Sequence, residues 1–406
     1  MGQPSRGVSC KPAIALHDEV ADSRGSRLSG SNVCSDLRSS RSLWPSCRGS
    51  KLRHVNSSES FRIAAVQACP IYLDRERTID KACGLTHEAA RRGAQLVVFP
   101  EAFVPGYPVW VWFIPPGRTA DLREAYVALH ANAIAIPSPS TRRLCDAAQT
   151  AGIAVAIGVN ERNAEASDST LFNTLLYVDP KGTILGTHRK LVPTGGERLV
   201  WGSGDGSDLA VYALPFARVG GLICWENYMP LARYALSAWG AQVHVAPTWD
   251  RGEPWLSTMR HVAKEGRAVV IGCCQVVQPH DIPDNLPFKS KYLSGIDHWI
   301  NPGGSVIVDP DGKVIAGPTY EQETILYADV RREQLVGPRW QLDIAGHYAR
   351  PDVFELIVHR QAKPVIQERE TSAPPASRRL RRGDDESRSA RSRAKRKKTA
   401  AGARRH

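Results

Sequence analysis

No apolar run in this 406-residue chain is long enough to span a bilayer as a helix, so a soluble protein is expected. None of its nine cysteines forms a C-x-x-C pair and no histidine cluster accompanies them, which argues against a zinc site. An odd cysteine count without regular spacing also argues against a disulfide framework and for a reducing, cytoplasmic setting. Aromatic residues make up only 7% of the chain, yet ten are tryptophans. No short repeat of fixed period is present. The length and a 42% hydrophobic content suffice for one large core or two small ones.

The middle of the chain also lacks the basic character that a net charge of +12 suggests. Residues 1–59 carry nine Lys and Arg against five Asp and Glu, and residues 367–406 carry fourteen against five. The stretch 60–366 is left close to neutral, so the basicity belongs to the ends and says little about what the core binds. Three segments follow: a Ser/Arg-rich extension over 1–59, a globular domain over 60–366 and a basic tail over 367–406. Both ends lack hydrophobic periodicity and are expected to be disordered. An Arg- and Ser-rich leader can be a targeting peptide, although Asp18, Glu19 and Asp22 weaken that reading, and a start codon assigned too far upstream would look the same. The tail, with Lys395-Arg396-Lys397-Lys398, reads first as a solvated segment and second as a nuclear-localisation or nucleic-acid-binding arm. It contains no aromatic residue for base stacking.

Between the ends, strands and helices alternate. Phe61–Gln67 reads as a strand, Ile79–Arg92 as a helix stopped by Gly93, and Leu122–Ile134 as a second helix. Ser138 is placed to cap a third, running through Leu144 to Ala151. Strands follow over Ile153–Val159 and Thr170–Val178. The turn Asp179-Pro180-Lys181-Gly182 then leads to the strand before Lys190. Beyond Cys224, helices at Pro230–Trp239 and Trp255–Arg267 alternate with strands at Gln242–Ala246 and Ala268–Cys274. A second hairpin turns at Asp309-Pro310-Asp311-Gly312, and Ile325–Val330 is the last strand. The two Asp-Pro hairpins hint at a duplicated half. Such alternation predicts an α/β fold with helices covering the sheets.

Three apolar runs end in reactive groups. Val219–Ile223 ends in Cys224, Ala94–Pro100 in Glu101, and Thr183–Arg189 in Lys190. Catalytic groups of α/β proteins gather at strand ends. Together the three would form a nucleophilic site: a thiol, a carboxylate to take and return its proton, and an ammonium to stabilise negative charge. The backbone N–H of Trp225 would add a second donor for that charge. Taken singly, Glu101 could merely cap the turn before Pro105-Gly106, Lys190 could lie on the surface, and Cys224 could be one more buried thiol. His188, two residues before Lys190, invites a Cys-His dyad. A histidine packed at the strand end to orient its neighbours is the preferred reading.

The segments around these residues resemble the carbon–nitrogen hydrolase superfamily, and within it the nitrilase branch. The likeness covers roughly 61–360. It rests on Val97–Pro108, His188–Thr194, Glu197-Arg198, Trp201-Gly202, Gly204–Ser207, Cys224–Leu231 and Ala246–Asp250. It implies a four-layer α-β-β-α sandwich, with Glu101 as base, Lys190 as stabilising cation and Cys224 as nucleophile. Glu197 matches the family's additional glutamate, which positions substrate or Lys190. The resemblance implies no metal and no organic cofactor, and it implies a homodimer that extends into larger homo-oligomers or filaments. The stretch Trp225–Met229 contains no arginine, unlike the carbamoyl-amino-acid hydrolases and omega-amidases, so no clamp for a substrate carboxylate is expected there. Tyr107, Trp110, Trp112, Phe113 and Trp249 suggest an apolar pocket, of which two at most are expected to touch substrate. Trp225, Tyr107 and Trp249 join Glu197 as candidate substrate-positioning residues. The activity implied is hydrolysis of an organic nitrile to acid and ammonia. An aliphatic amidase or a cyanide-degrading hydrolase is the alternative within the superfamily. A basic-tailed nucleic-acid-binding or assembly protein with a vestigial site is the alternative outside it.

Overall fold

The computed structural model describes residues 60–362 apart from residue 165. The Ser/Arg-rich extension over 1–59 and the basic tail over 367–406 lie outside the described residues. Twelve strands are present among those described. The first five are β1 (Ser60–Gln67), β2 (Ala94–Val98), β3 (Ala154–Arg162), β4 (Leu171–Val178) and β5 (Ile184–Arg189). The next five are β6 (Val211–Ala213), β7 (Arg218–Gly221), β8 (Val243–Thr248), β9 (Val269–Cys274) and β10 (Gly303–Val308), and β11 (Val314–Tyr320) and β12 (Thr324–Arg331) close the series. They form two six-stranded sheets, ordered β12-β1-β2-β3-β4-β5 and β11-β10-β9-β8-β7-β6.

The sheets face each other across an apolar layer. Ile63, Leu96, Val98, Ala156 and Leu175 of one sheet meet Val219, Val245, Ile271 and Ile307 of the other. The residues between them in sequence point the opposite way, as the two-residue period of a strand requires. On one outer face Val97, Val155 and Ile157 take Ile79 and Ala82 of helix α1 (Arg75–Arg91). After the intervening helix α2 (Thr119–Asn132), Leu144 and Ala148 of α3 (Pro139–Ala151) cover the same face. On the other outer face α4 (Pro230–Ala238) contributes Leu236, and α5 (Glu253–Gly266) contributes Trp255 and Met259. The order of layers is helix, sheet, sheet, helix, so the sandwich expected from the sequence is the fold.

The hint of duplication has a structural counterpart. In each sheet three strands run parallel, β1-β2-β3 and β7-β8-β9, followed by an antiparallel hairpin, β4-β5 and β10-β11. One more antiparallel strand, β12 or β6, flanks the first member of each trio. Both hairpin turns are closed by the Asp-Pro-X-Gly segments, where Asp179 accepts the N–H of Lys181 and Thr183, and Asp309 accepts those of Asp311 and Lys313.

Most expected elements are present with ends shifted by a few residues. Ser138 caps α3 in a reciprocal box with Thr141. The first helix begins at Arg75, not Ile79, because the Asp74 side chain accepts the N–H of Arg77 and starts the helix one turn earlier. Two strands are shorter than their apolar runs. β2 ends at Val98 and β7 at Gly221, so Glu101 and Cys224 stand three residues past the last paired strand residue. Those short excursions beyond the ladder are where the site is built.

Candidate active site

Glu101 lies in a tight turn after β2. Gly158 of β3 passes directly beneath it: a Cβ there would collide with the Pro100 carbonyl and Glu101 Cα, so the bare glycine backbone lets this turn close. The turn is pinned from the other sheet by Gln275, whose Nε2 donates to the Glu101 carbonyl at 2.7 Å. Lys190 follows β5, and its backbone N–H donates to the Asn173 carbonyl. Cys224 opens the 3-10 turn Cys224–Tyr228 with φ of 53°, a left-handed backbone that a non-glycine residue adopts rarely. Asn227 holds this conformation, its Nδ2 donating to the carbonyls of Leu222 (3.0 Å) and Cys224 (2.8 Å). Its own oxygen accepts from His244 at 2.7 Å. Burial together with nearby Arg233 depresses the His244 pKa to about 4, so that imidazole is neutral and bonds as a tautomer.

The three side chains meet deep in the molecule. Lys190 is fully buried, while Glu101 and Cys224 are 1% and 3% exposed. The Lys190 ammonium donates to Glu101 Oε1 at 2.8 Å and to Glu197 Oε2 at 2.7 Å. Glu101 Oε1 also accepts from Asn173 Nδ2 at 2.7 Å. Its second oxygen, Oε2, is buried with no hydrogen-bond partner among the described residues. Glu197 is held by the Thr194 N–H at 2.7 Å and the Tyr107 hydroxyl at 2.7 Å. The Cys224 thiol accepts from the Thr248 hydroxyl at 3.2 Å.

The electrostatics follow from this burial. Desolvation drives the Glu101 carboxyl up to about 7 against the pull of Lys190, with Glu197 adding to the rise. Burial alone would strip the Lys190 proton, but Glu101, the Cys224 thiol and Glu197 outweigh it and hold the ammonium charged well above the usual lysine range. Burial first, then the Glu101 charge, pushes the Cys224 thiol up, while Lys190 and the Thr248 hydroxyl pull it down. The group therefore pairs a protonated thiol with a carboxylate poised near neutrality and a permanent cation. Such a set can move a proton from sulfur to oxygen and stabilise charge developing on a bound molecule. Among the described residues no group of three His, Cys, Asp or Glu side chains is arranged to hold a metal ion.

The other expected residues divide. Tyr107 and Trp249 are buried and stacked, ring centroids 4.2 Å apart and planes within 4°, with the Trp201 edge against Tyr107 at 5.6 Å. They form the wall that orients Glu197. Trp110 is buried against Phe288 in the same apolar cluster as Tyr107 and Trp249, while Phe113 is half-buried and Trp112 exposed with its Nε1 donating to the Tyr107 hydroxyl. The Trp225 ring does not join the buried group. It is 52% exposed and donates to Asp250 at 2.9 Å, because the 3-10 turn after Cys224 rotates this position outward. What Trp225 keeps at the site is its place as the backbone residue directly after the nucleophile candidate. His188 is not part of a dyad with Cys224: it is buried between Asp208 and Glu226, as a strand-end histidine orienting its neighbours.

Sequence reasoning missed Asn173, Thr248, Asn227 and Gln275. Asn173 and Gln275 carried one visible signal, a polar residue within or beside a buried apolar strand, where an unpaired polar group is costly.

An α-β-β-α sandwich that brings Glu101, Lys190 and Cys224 together just past the ends of β2, β5 and β7 fits a hydrolase. Residues 62–337 match the carbon-nitrogen hydrolase family, and the chain belongs to it, in its nitrilase branch. It is 45% identical over 308 residues to an aliphatic nitrilase of Sinorhizobium fredii, spanning 75% of this chain and 98% of that protein. It is 41% identical to a bifunctional nitrilase/nitrile hydratase of Nicotiana tabacum (79% of this chain, 92% of that one) and 39% identical to nitrilase 1 of Arabidopsis thaliana (77% and 90%). Among solved structures, the amidase from Nesterenkonia sp. AN1 in complex with acrylamide is similar, with a TM-score of 0.52 and 20% identity over 72% of this chain and 98% of that one. That likeness is one of fold.

Proposed function

We propose that this chain hydrolyses an organic nitrile to the carboxylic acid and ammonia, with Cys224 as nucleophile, Glu101 as general base and acid, and Lys190 as electrostatic stabiliser. The observation that carries this reading is the buried Lys190 ammonium bonded to both Glu101 and Glu197 beside the Cys224 thiol. The kinship with nitrilases agrees with it. Glu101 takes the thiol proton as sulfur attacks the nitrile carbon and passes it to the nitrogen, which gives a thioimidate and leaves Glu101 ionised again. Water deprotonated at Glu101 adds to that carbon, ammonia departs, and an acyl thioester remains. A second water releases the acid and regenerates the thiol. Lys190 and the Trp225 N–H stabilise the negative charge that grows in each addition, where one such donor contributes about 3 kcal/mol. Glu197, braced by Tyr107 and Trp249, holds Lys190 in place.

The catalytic domain in this reading is residues 60–366, and the extensions at both ends are dispensable for chemistry. The protein works as a homodimer that extends to larger homo-oligomers; exposed Leu231, Trp340, Phe354 and Ile357 are apolar surface that such assembly would cover. A cytoplasmic location is supported by the six described cysteines, all free. No helix among the described residues is long and apolar enough to cross a membrane.

The test is ammonia release by the purified full chain from benzonitrile, mandelonitrile, simple dinitriles, the matching amides and cyanide. Turnover of organic nitriles that disappears in Cys224→Ala is expected. Turnover of amides alone, or of cyanide alone, would replace the nitrilase reading with the corresponding relative. Light scattering on the same protein reads the oligomer, and a 60–366 chain with full turnover would show that the ends are not needed.

A further inference from the structure

Behind the Cys224–Lys190 pair lies a second buried charged group that the reaction scheme does not use. Glu226 is 1% exposed, and its two oxygens hold two different chain segments. Oε1 accepts the N–H of Leu191 at 2.7 Å, and Oε2 accepts the N–H of Ile223 at 2.6 Å. Leu191 directly follows Lys190, and Ile223 directly precedes Cys224. One carboxylate therefore ties the backbone of the cation to the backbone of the nucleophile, although β5 and β7 belong to different sheets.

Glu226 is itself held from behind. His188 Nε2 lies 3.0 Å from Oε2 and 3.2 Å from Oε1, while Nδ1 faces Asp208 Oδ1 at 3.2 Å. The second oxygen of Asp208 accepts the N–H of Arg189 at 2.7 Å, which returns the chain of contacts to the strand end carrying Lys190. An imidazole between two carboxylates donates from both nitrogens as the cation. Burial opposes that charge, but Glu226 and Asp208 prevail and raise the His188 pKa to about 10, while His188 and the two N–H groups hold Glu226 below the usual carboxylate range.

We propose that Glu226, oriented by His188, is a positioning residue that sets the separation between the Cys224 sulfur and the Lys190 ammonium. This rests on the nitrilase reading for its rate effect, not for its effect on the thiol. The geometry explains why a carboxylate is required. Both oxygens face backbone N–H donors, so a glutamine of the same shape must point its NH₂ at one of them. One strand end is then released. A shift of the order of an ångström between reacting groups costs about a hundredfold in rate.

The experiment uses Glu226→Gln and His188→Gln in the full chain. It measures kcat and KM for benzonitrile and, separately, the rate at which iodoacetamide alkylates Cys224, followed by mass spectrometry of its peptide. Glu226→Gln is expected to lower kcat about a hundredfold with KM within about threefold. Alkylation of Cys224 is expected to slow about tenfold, because the thiol loses the cation that favours its thiolate. His188→Gln should show the same pattern, more weakly. Loss of fold alone would lower the active fraction without changing the alkylation rate of the molecules that remain folded. If Glu226→Gln fails to fold, His188→Gln decides. Alkylation at the normal rate in a folded variant would overturn the proposal, as would a kcat within about threefold of normal. A chain inactive on every nitrile but with slowed alkylation in both variants would sink the nitrilase reading and leave the positioning role standing.

Discussion

Asn173 donates to Glu101 Oε1 at 2.7 Å, the same oxygen that Lys190 engages, while Oε2 has no hydrogen-bond partner among the described residues. Two donors on one oxygen turn the other toward the work of proton transfer. Their charge and dipole also oppose the burial that lifts this carboxyl to about 7. The base must be ionised to act, so kcat/KM should rise with pH through about 7. Removing Asn173 removes a bond that favours the ionised form. Asn173→Ala should therefore move that acid limb to higher pH and lower the rate at neutrality about tenfold. Glu101→Gln should abolish the limb and cost about a thousandfold. A pH–rate profile of each variant reads both effects, and an unmoved limb in Asn173→Ala would refute the coupling.

Lys190 is expected to be structural as well as catalytic. Without its ammonium, Glu101 and Glu197 face a common buried space with no cation between them. Breaking a buried pair in this way costs about 3–5 kcal/mol, so Lys190→Ala should be both inactive and markedly easier to unfold. Urea denaturation checks it. A variant as stable as the parent would show that the two carboxyls lose their charge by taking up protons from solvent instead.

Thr248 donates to the Cys224 sulfur and favours its ionised form. Thr248→Val keeps the shape and removes the donor. Alkylation of Cys224 by iodoacetamide should slow about threefold at pH 7, with the pH midpoint of the reaction shifted upward. Thr248 also accepts the N–H of Asp250, so the fold of the variant is checked by circular dichroism.

His188 makes stability depend on pH at the alkaline end. Its pKa is raised on folding from 6.5 to about 10, so the charged form contributes stability that is fully present below about 6.5. That contribution is lost as pH rises through about 10. The urea midpoint should therefore decline between those values, and His188→Gln should flatten the decline. Parallel slopes in the two proteins would mean that other groups carry the alkaline loss.

Periodicity along the chain was enough for the α/β alternation and the strand-end reactive groups, while the four-layer arrangement was implied by the resemblance of the motifs. Strand and helix periods are local, and Ile63, Leu96 and Val219 point inward because alternate residues of a strand must. The apolar runs before Glu101, Lys190 and Cys224 marked the strands that lead to them, although β2 and β7 stop short of their runs. What those groups touch depends on contacts between segments far apart in the chain. Lys190 and Glu197 are near in sequence, but Glu101 is 89 residues from Lys190, and no local pattern reports that Asn173 shares its oxygen. Nor does sequence period tell that Trp225 turns outward while Glu226, its neighbour, turns in to bind two strand ends. Side-chain direction past the end of a ladder is set by turn geometry and by partners from distant elements. That is why the reactive residues were legible and the residues that hold them were not.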